Sequence, residues 1–296
     1  MSNVLFTGIM PALYSVYDED RNVIKPAVQK LVDYQLKNGV SGFYVGGNTG
    51  ECAVLPNKTR KQMMDAVMEA NNGRGKVIAH IGAGHIDDVY DLLDHANSLN
   101  VDAIASLPPS LQAYYGEDEI LTYYRILAEK SKAPVLAYVT SVNTGDILEF
   151  AKRIMTIDNV IGIKMSIPDY FTFGNIKTIN GGDINLLNGP DETLICGLAE
   201  GADGAIGTSY NALPKLAVSL YNNFKAGKMD AALECQRKIN AYINLFLEYN
   251  IAFWKASMTF LGFDMGYTVE PQKLPDKETM EVLRKQLEKI GFFEMI

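Results

Sequence analysis

Eight times along the first three quarters of the chain, a short apolar, β-branched run gives way to a stretch with helical periodicity. The runs span residues 8–16, 42–47, 76–82, 102–107, 134–140, 160–166, 184–189 and 204–208. Their length and β-branched content read as strands. The helical patterns begin near Lys25, Asn57, Ile86, Gly116, Thr144, Pro168, Asp191 and Asn211. Several open on acids that complement the positive end of a helix dipole: Asp87 with Asp88, residues 117–119, Asp146, and Asp191 with Glu192. Eight βα units with no Gly/Pro/Ser linker match the α/β class and the count of a (β/α)8 TIM barrel, whereas a doubly wound sheet more often stops at five or six strands. The expectation is a barrel over residues 1–226, followed by a C-terminal helical extension over 227–296 that packs on it as one structural unit. Helical stretches in that extension are expected at 229–248, 251–262 and 276–290.

Composition narrows what such a fold can do. With 296 residues and 48% hydrophobic content there is material for a large core, and length alone would allow one domain or two. The net charge of −8 argues against broad nucleic-acid binding, which needs a basic face. Cys52, Cys196 and Cys235 form no C-x-x-C pair, so neither a disulfide framework nor a zinc ribbon is readable, and a cytoplasmic protein is expected. The apolar stretch 4–16 has no basic flank and contains Pro11, so it reads as a first strand rather than a signal peptide, and no apolar run is long enough to span a membrane.

Chemistry in a barrel of this kind collects where strands end and βα loops begin. The sixth run reads Val160-Ile161-Gly162-Ile163-Lys164-Met165-Ser166. Alternation places Gly162, Lys164 and Ser166 on one face and Ile161, Ile163 and Met165 on the other. If the isoleucine face meets the helices, Lys164 points into the barrel mouth, where burial of an amine disfavours its charged form and favours nucleophilic use. The alternative is a strand-end lysine that reaches solvent. Tyr138 lies one strand earlier in matching phase, where a phenol beside an amine can relay protons, although a strand tyrosine is often plain core. The segment Gly46-Gly47-Asn48-Thr49-Gly50-Glu51 offers backbone N–H groups and a hydroxyl suited to a carboxylate, or is simply a capped tight turn. Gly82-Ala83-Gly84 departs from a dinucleotide loop because Asp87 stands where the third glycine belongs; no P-loop run occurs, and His80, His85 and His95 lack metal-ligand spacing.

Taken together these blocks, with Gly201-Ala202-Asp203-Gly204-Ala205-Ile206-Gly207-Thr208-Ser209-Tyr210-Asn211, resemble the pyruvate-dependent class I aldolases, the family of N-acetylneuraminate lyase and dihydrodipicolinate synthase. The resemblance runs over nearly the whole chain. It implies a Schiff base between Lys164 and the keto carbon of a small 2-oxo acid, with Tyr138 as proton donor and acceptor and Asn48 and Thr49 holding the carboxylate. Gly189-Pro190-Asp191-Glu192 looks like the G-x-D-E pattern of the sialic acid branch, in which the acids meet sugar hydroxyls, and Ser166 and Thr208 match further sugar-binding positions. On that branch the reaction is reversible cleavage of N-acetylneuraminate to N-acetylmannosamine and pyruvate, with no metal or organic cofactor, in a homotetramer built as two dimers.

Three departures stand out. Asn48 replaces a usual Ser or Thr; Leu111 falls where a relay tyrosine is expected, with Tyr114 or Tyr115 as substitutes; and Val139-Thr140-Ser141 replaces Asn-Ile-Pro. Rival readings are a 2-keto-3-deoxy sugar acid aldolase, a dihydrodipicolinate synthase, or a non-catalytic binding or regulatory barrel.

Overall fold

The computed structural model describes residues 3–109, 115–140 and 145–296. Among these described residues eight strands alternate with eight helices: β1 (Gly8–Pro11), α1 (Lys25–Lys37), β2 (Gly42–Val45), α2 (Asn57–Asn71), β3 (Lys76–His80), α3 (Ile86–Leu99), β4 (Ala103–Ser106), α4 (Glu117–Lys130), β5 (Val135–Val139), α5 (Ile147–Ile154), β6 (Val160–Met165), α6 (Tyr170–Lys177), β7 (Asn185–Asn188), α7 (Leu194–Ala199), β8 (Gly204–Gly207) and α8 (Pro214–Lys225). All strands pair in parallel, in the order β1-β8-β7-β6-β5-β4-β3-β2. The bridge between Ala12 and Tyr44, with the Leu13 N–H donating to the Tyr44 carbonyl at 2.9 Å, brings the two ends of the sheet together. This is the TIM barrel expected from the alternation, followed by the C-terminal helices α9 (Met229–Asn244), α10 (Ile251–Ser257), α11 (Lys277–Lys289) and α12 (Phe292–Met295).

Two apolar clusters follow from strand parity. An inner one fills the lumen with Met10, Tyr44, Ile78, Ala105, Leu136, Leu187 and Ile206. The larger one lies between strands and helices and includes Ile9, Val45, Ala79, Val139, Ile163 and Met165. Ile161, expected on the outer face with Ile163, belongs to the inner cluster instead. The cause is a register shift between β5 and β6: Val135 pairs with Val160, but Leu136 pairs with Gly162, so one extra residue of β6 is accommodated there and the parity flips. Gly162 is required at the crossing, since a Cβ on it would come 2.0 Å from the Asn185 carbonyl oxygen.

Other boundaries move for local reasons. The first strand ends at Pro11 rather than at residue 16, with the Ala12 N–H still donating to the Gly207 carbonyl at 2.9 Å before the chain leaves the sheet. The helix expected near Asp191 starts at Leu194, after a 3₁₀ turn at Asp191–Thr193, and that expected near Asn211 starts at Pro214, after a second turn at Ser209–Asn211. Asp146 caps α5, accepting from the Glu149 N–H at 3.0 Å, while the expected start at Thr144 lies outside the described residues. The tail packs against βα loops: Gln236 of α9 donates to the Asp191 carbonyl at 3.0 Å and Asn240 to that of Glu192 at 3.0 Å. Among the described residues no helix is long and apolar enough to cross a membrane.

Candidate active site

Tyr138 and Lys164 are register partners on the adjacent strands β5 and β6, so both side chains rise on the lumen side near the strand ends. Lys164 is 5% exposed, which removes the reading in which it reaches solvent. Its Nζ lies 3.2 Å from Ser166 Oγ, 3.6 Å from the Tyr138 ring centroid and 5.4 Å from that of Tyr44. Ser166 Oγ in turn donates to the Tyr138 hydroxyl at 3.4 Å. A hydroxyl and two ring faces thus surround the amine. Burial pushes the Tyr138 phenol up, but the charge of Lys164 and hydrogen bonds from Lys164 and Ser166 outweigh it and hold the phenol below its ordinary value. A phenol tuned in this way, one hydroxyl away from an amine, can exchange protons with whatever the amine holds.

The loop after β2 forms the opposite wall. Thr49 Oγ1 lies 2.7 Å from Thr208 Oγ1, which joins this loop to the end of β8. The loop turns through Gly46 at φ 77°, and the Gly46 carbonyl accepts from Arg60 Nη2 at 3.2 Å and from His80 Nδ1 at 3.0 Å. His80 Nε2 accepts from the Leu107 N–H at 3.3 Å, so its tautomer is set and the ring is neutral. Burial, then the nearby Arg60 charge, push the His80 pKa down to about 3. Gly47 is needed because a Cβ there would meet the Tyr44 ring at 2.5 Å. Asn48 is exposed at the rim, its Oδ1 accepting from Cys52 Sγ at 3.2 Å.

Between these walls lies a cavity of about 120 Å³ whose lining includes Asn48, Thr49, Tyr138, Lys164, Ser166, Gly189, Asp191 and Thr208. Asp191 is buried, and its Oδ2 accepts from the Ser209 N–H and Oγ, both at 2.6 Å. Burial raises its pKa to about 6 against the opposing Ser209 bonds, with Glu192 adding to the rise and Lys164 resisting it. Two glycines make room: a Cβ on Gly207 would stand 2.1 Å from Asp191 Oδ1, and one on Gly189 would stand 2.1 Å from Ser166 Oγ. Glu192 is exposed and does not line the cavity. Leu111, Tyr114 and Ser141 lie outside the described residues, while Tyr115 faces a separate surface cavity with Tyr90 and Pro109.

Tyr44 was not singled out by sequence reasoning, yet it is buried against the cavity, edge-on to Tyr138 at 6.4 Å, and its hydroxyl has no hydrogen-bond partner among the described residues. The parity of β2 was the available signal. Nothing in the sequence marked the grip of Arg60 and His80 on the Gly46 carbonyl.

Residues 5–290 match the profile described as "Dihydrodipicolinate synthetase family". The chain is 31% identical to an N-acetylneuraminate lyase of Mediterraneibacter gnavus, over 96% of this chain and 92% of that one. It is 32% identical to an N-acetylneuraminate lyase of Rhizobium meliloti, over 93% and 90%. Among solved structures, a catalytic-lysine mutant of the Ruminococcus gnavus sialic acid aldolase superposes with a TM-score of 0.90 at 30% identity, covering 97% of this chain and 96% of that one. Members of the family are pyruvate-dependent Schiff-base aldolases that bind pyruvate and sugar substrates and need no metal. The chain belongs to the dihydrodipicolinate synthetase family, and is a class I aldolase, a carbon–carbon lyase.

Proposed function

We propose that this enzyme cleaves N-acetylneuraminate reversibly to N-acetylmannosamine and pyruvate, with Lys164 as the imine-forming nucleophile. The observation that carries the reading is the contact chain from Lys164 Nζ through Ser166 Oγ to the Tyr138 hydroxyl, at 3.2 and 3.4 Å, on the floor of the cavity. The neutral amine attacks the C2 carbonyl of the open-chain sugar acid, and the carbinolamine takes the Tyr138 phenol proton and loses water, which gives a protonated imine and leaves Tyr138 as phenolate. Tyr138, as phenolate, takes the C4 hydroxyl proton. The C3–C4 bond breaks, its electron pair passing to the C2–C3 bond and the imine nitrogen, and the aldehyde N-acetylmannosamine departs. Tyr138 then returns the proton to C3 of the enamine, and water hydrolyses the imine to pyruvate and free Lys164.

The other residues position and select. Thr49, Asn48 and the loop amides hold the carboxylate, which aligns the keto carbon with the amine. The cavity takes the pyruvate end, and the polyol chain runs outward past Ser166, Gly189 and Thr208 to Asp191 and Glu192. The sialic acid branch is favoured by the buried, ionisable Asp191 at the cavity wall and by the relatives named as N-acetylneuraminate lyases. Because the lumen supplies an electron sink through the imine itself, the reaction as written needs no cofactor. We further propose a homotetramer, as the family resemblance implies, in the cytoplasm, in keeping with three cysteines that form no C-x-x-C pair.

The test is pyruvate release from N-acetylneuraminate, run beside condensations of pyruvate with N-acetylmannosamine, glyceraldehyde and aspartate semialdehyde. Preference for the N-acetylated pair supports the proposal. Faster turnover with glyceraldehyde or aspartate semialdehyde replaces it with another branch of the family, and binding without turnover in every arm removes catalysis.

A further inference from the structure

A buried ion pair stands behind the loop that carries Asn48 and Thr49, and the reaction above makes no use of it. Lys255 on α10 is wholly buried, and its Nζ lies 3.2 Å from Oε1 of Glu51. The same Nζ donates to the Tyr267 carbonyl and stands 4.0 Å from the Tyr17 ring centroid. An ammonium has three N–H donors, and here they meet a carboxylate, a carbonyl and a ring face. The second carboxylate oxygen, Glu51 Oε2, accepts from the Tyr17 hydroxyl at 2.6 Å. Tyr17 therefore holds both members of the pair.

The geometry at Glu51 says what this arrangement is for. Its backbone sits at φ 62°, ψ 33°, a left-handed conformation that a residue with a Cβ keeps only when its surroundings hold it. Glu51 closes the 3₁₀ turn at Asn48–Gly50: its N–H donates to the Asn48 carbonyl at 2.9 Å, and the Cys52 N–H donates to that of Gly47 at 3.2 Å. From the other side Ser15 Oγ holds the Gly50 carbonyl at 2.8 Å. The loop is thus pinned at its last residue by a side chain that must turn inward, where a carboxylate without a partner would be costly. The cation comes from 204 positions further along the chain. A buried ion pair adds little net stability over an apolar pair of the same shape, so stability alone gives no reason to place charge here.

We propose that Glu51, Lys255 and Tyr17 form a positioning triad for the carboxylate-binding loop, through which the C-terminal helices set how tightly the 2-oxo acid is held without touching it. The proposal rests on reading residues 46–51 as the carboxylate site. It is tested by trapping the pyruvate imine with borohydride at increasing pyruvate, in the wild-type protein and in the variants Tyr17→Phe, Lys255→Met and Glu51→Gln with Lys255→Met. Tyr17→Phe keeps the ring face and removes only the donor to Glu51. It should raise half-saturating pyruvate roughly ten-fold, with labelling at saturation near wild type, and lower the thermal midpoint by only a few degrees, the usual consequence of losing one hydrogen bond to a buried charge. Lys255→Met should raise it further, and the double variant should recover part of the loss because no buried charge is left alone. Half-saturation equal to wild type in folded variants, whatever their thermal midpoints, overturns the triad. Failure of the wild-type protein to label at Lys164 overturns the carboxylate reading itself.

Discussion

Replacing Asp191 by asparagine should stabilise the protein at neutral pH while weakening its action on the sugar acid. The Asp191 carboxyl ionises at about 6 in the folded chain against 3.8 as an ordinary carboxylate, chiefly because it is buried. A carboxyl whose pKa is raised by folding binds its proton more tightly in the native state. Its ionisation therefore opposes folding, with nothing lost below 3.8 and the full penalty present above about 6. That interval is worth about 3 kcal/mol. The amide in Asp191→Asn would keep an oxygen to accept from the Ser209 N–H and Oγ, so the variant loses the charge and little of the hydrogen bonding. Urea unfolding of both proteins at a series of pH values gives the stability difference directly, and groups common to both cancel. The difference should be constant in acid, grow in favour of the variant between about pH 4 and 6, and level off at about 3 kcal/mol. A difference that stays flat across that interval refutes the claim that this carboxylate is held ionised at a cost. Cleavage of N-acetylneuraminate by the variant should fall while borohydride trapping of pyruvate persists, since Asp191 is assigned to the sugar chain.

Other expectations follow from single contacts. Tyr138→Phe should lower turnover by roughly 10²- to 10⁴-fold, the usual range for a lost proton-transfer group, with pyruvate still trapped on Lys164; an unchanged turnover number takes Tyr138 out of the proton path. Gly207→Ala places a Cβ 2.1 Å from Asp191 Oδ1, so it should raise KM for the sugar acid more than half-saturating pyruvate, and equal changes in both would contradict the assignment. His80, with its pKa pushed down to about 3, should stay neutral from neutral pH to about pH 4, and its tendency to charge once unfolded should erode stability as pH falls below about 6.5. An imidazole NMR resonance assigned to His80, by its loss in His80→Asn, that titrates near 6 would contradict the buried grip on Gly46.

The barrel was legible because its signal is local and repeated: each strand is a short β-branched run and each helix carries its own periodicity. The meeting of Tyr138 and Lys164 was legible for the same reason, since parity within each strand and adjacency between strands suffice to bring two side chains together. Parity failed at Ile161, where one extra residue in β6 turns it into the lumen, and a register shift leaves no mark on apolar alternation. Asp191 reads in sequence as an ordinary first-turn acid, but the chain forms a 3₁₀ turn there and the carboxylate bonds Ser209 of the next βα loop. The Glu51–Lys255 pair was invisible because nothing local joins residues so far apart. These failures arise where tertiary contacts, rather than the residue's own neighbours, decide what a side chain does.

The most direct measurement is to incubate the enzyme with N-acetylneuraminate, add borohydride, and identify both the modified peptide and the released sugar. The account predicts a reduced pyruvyl adduct on Lys164, N-acetylmannosamine in solution, and neither product with Lys164→Ala. An adduct on Lys255 or another lysine, or release of N-acetylmannosamine by Lys164→Ala at the wild-type rate, would contradict it.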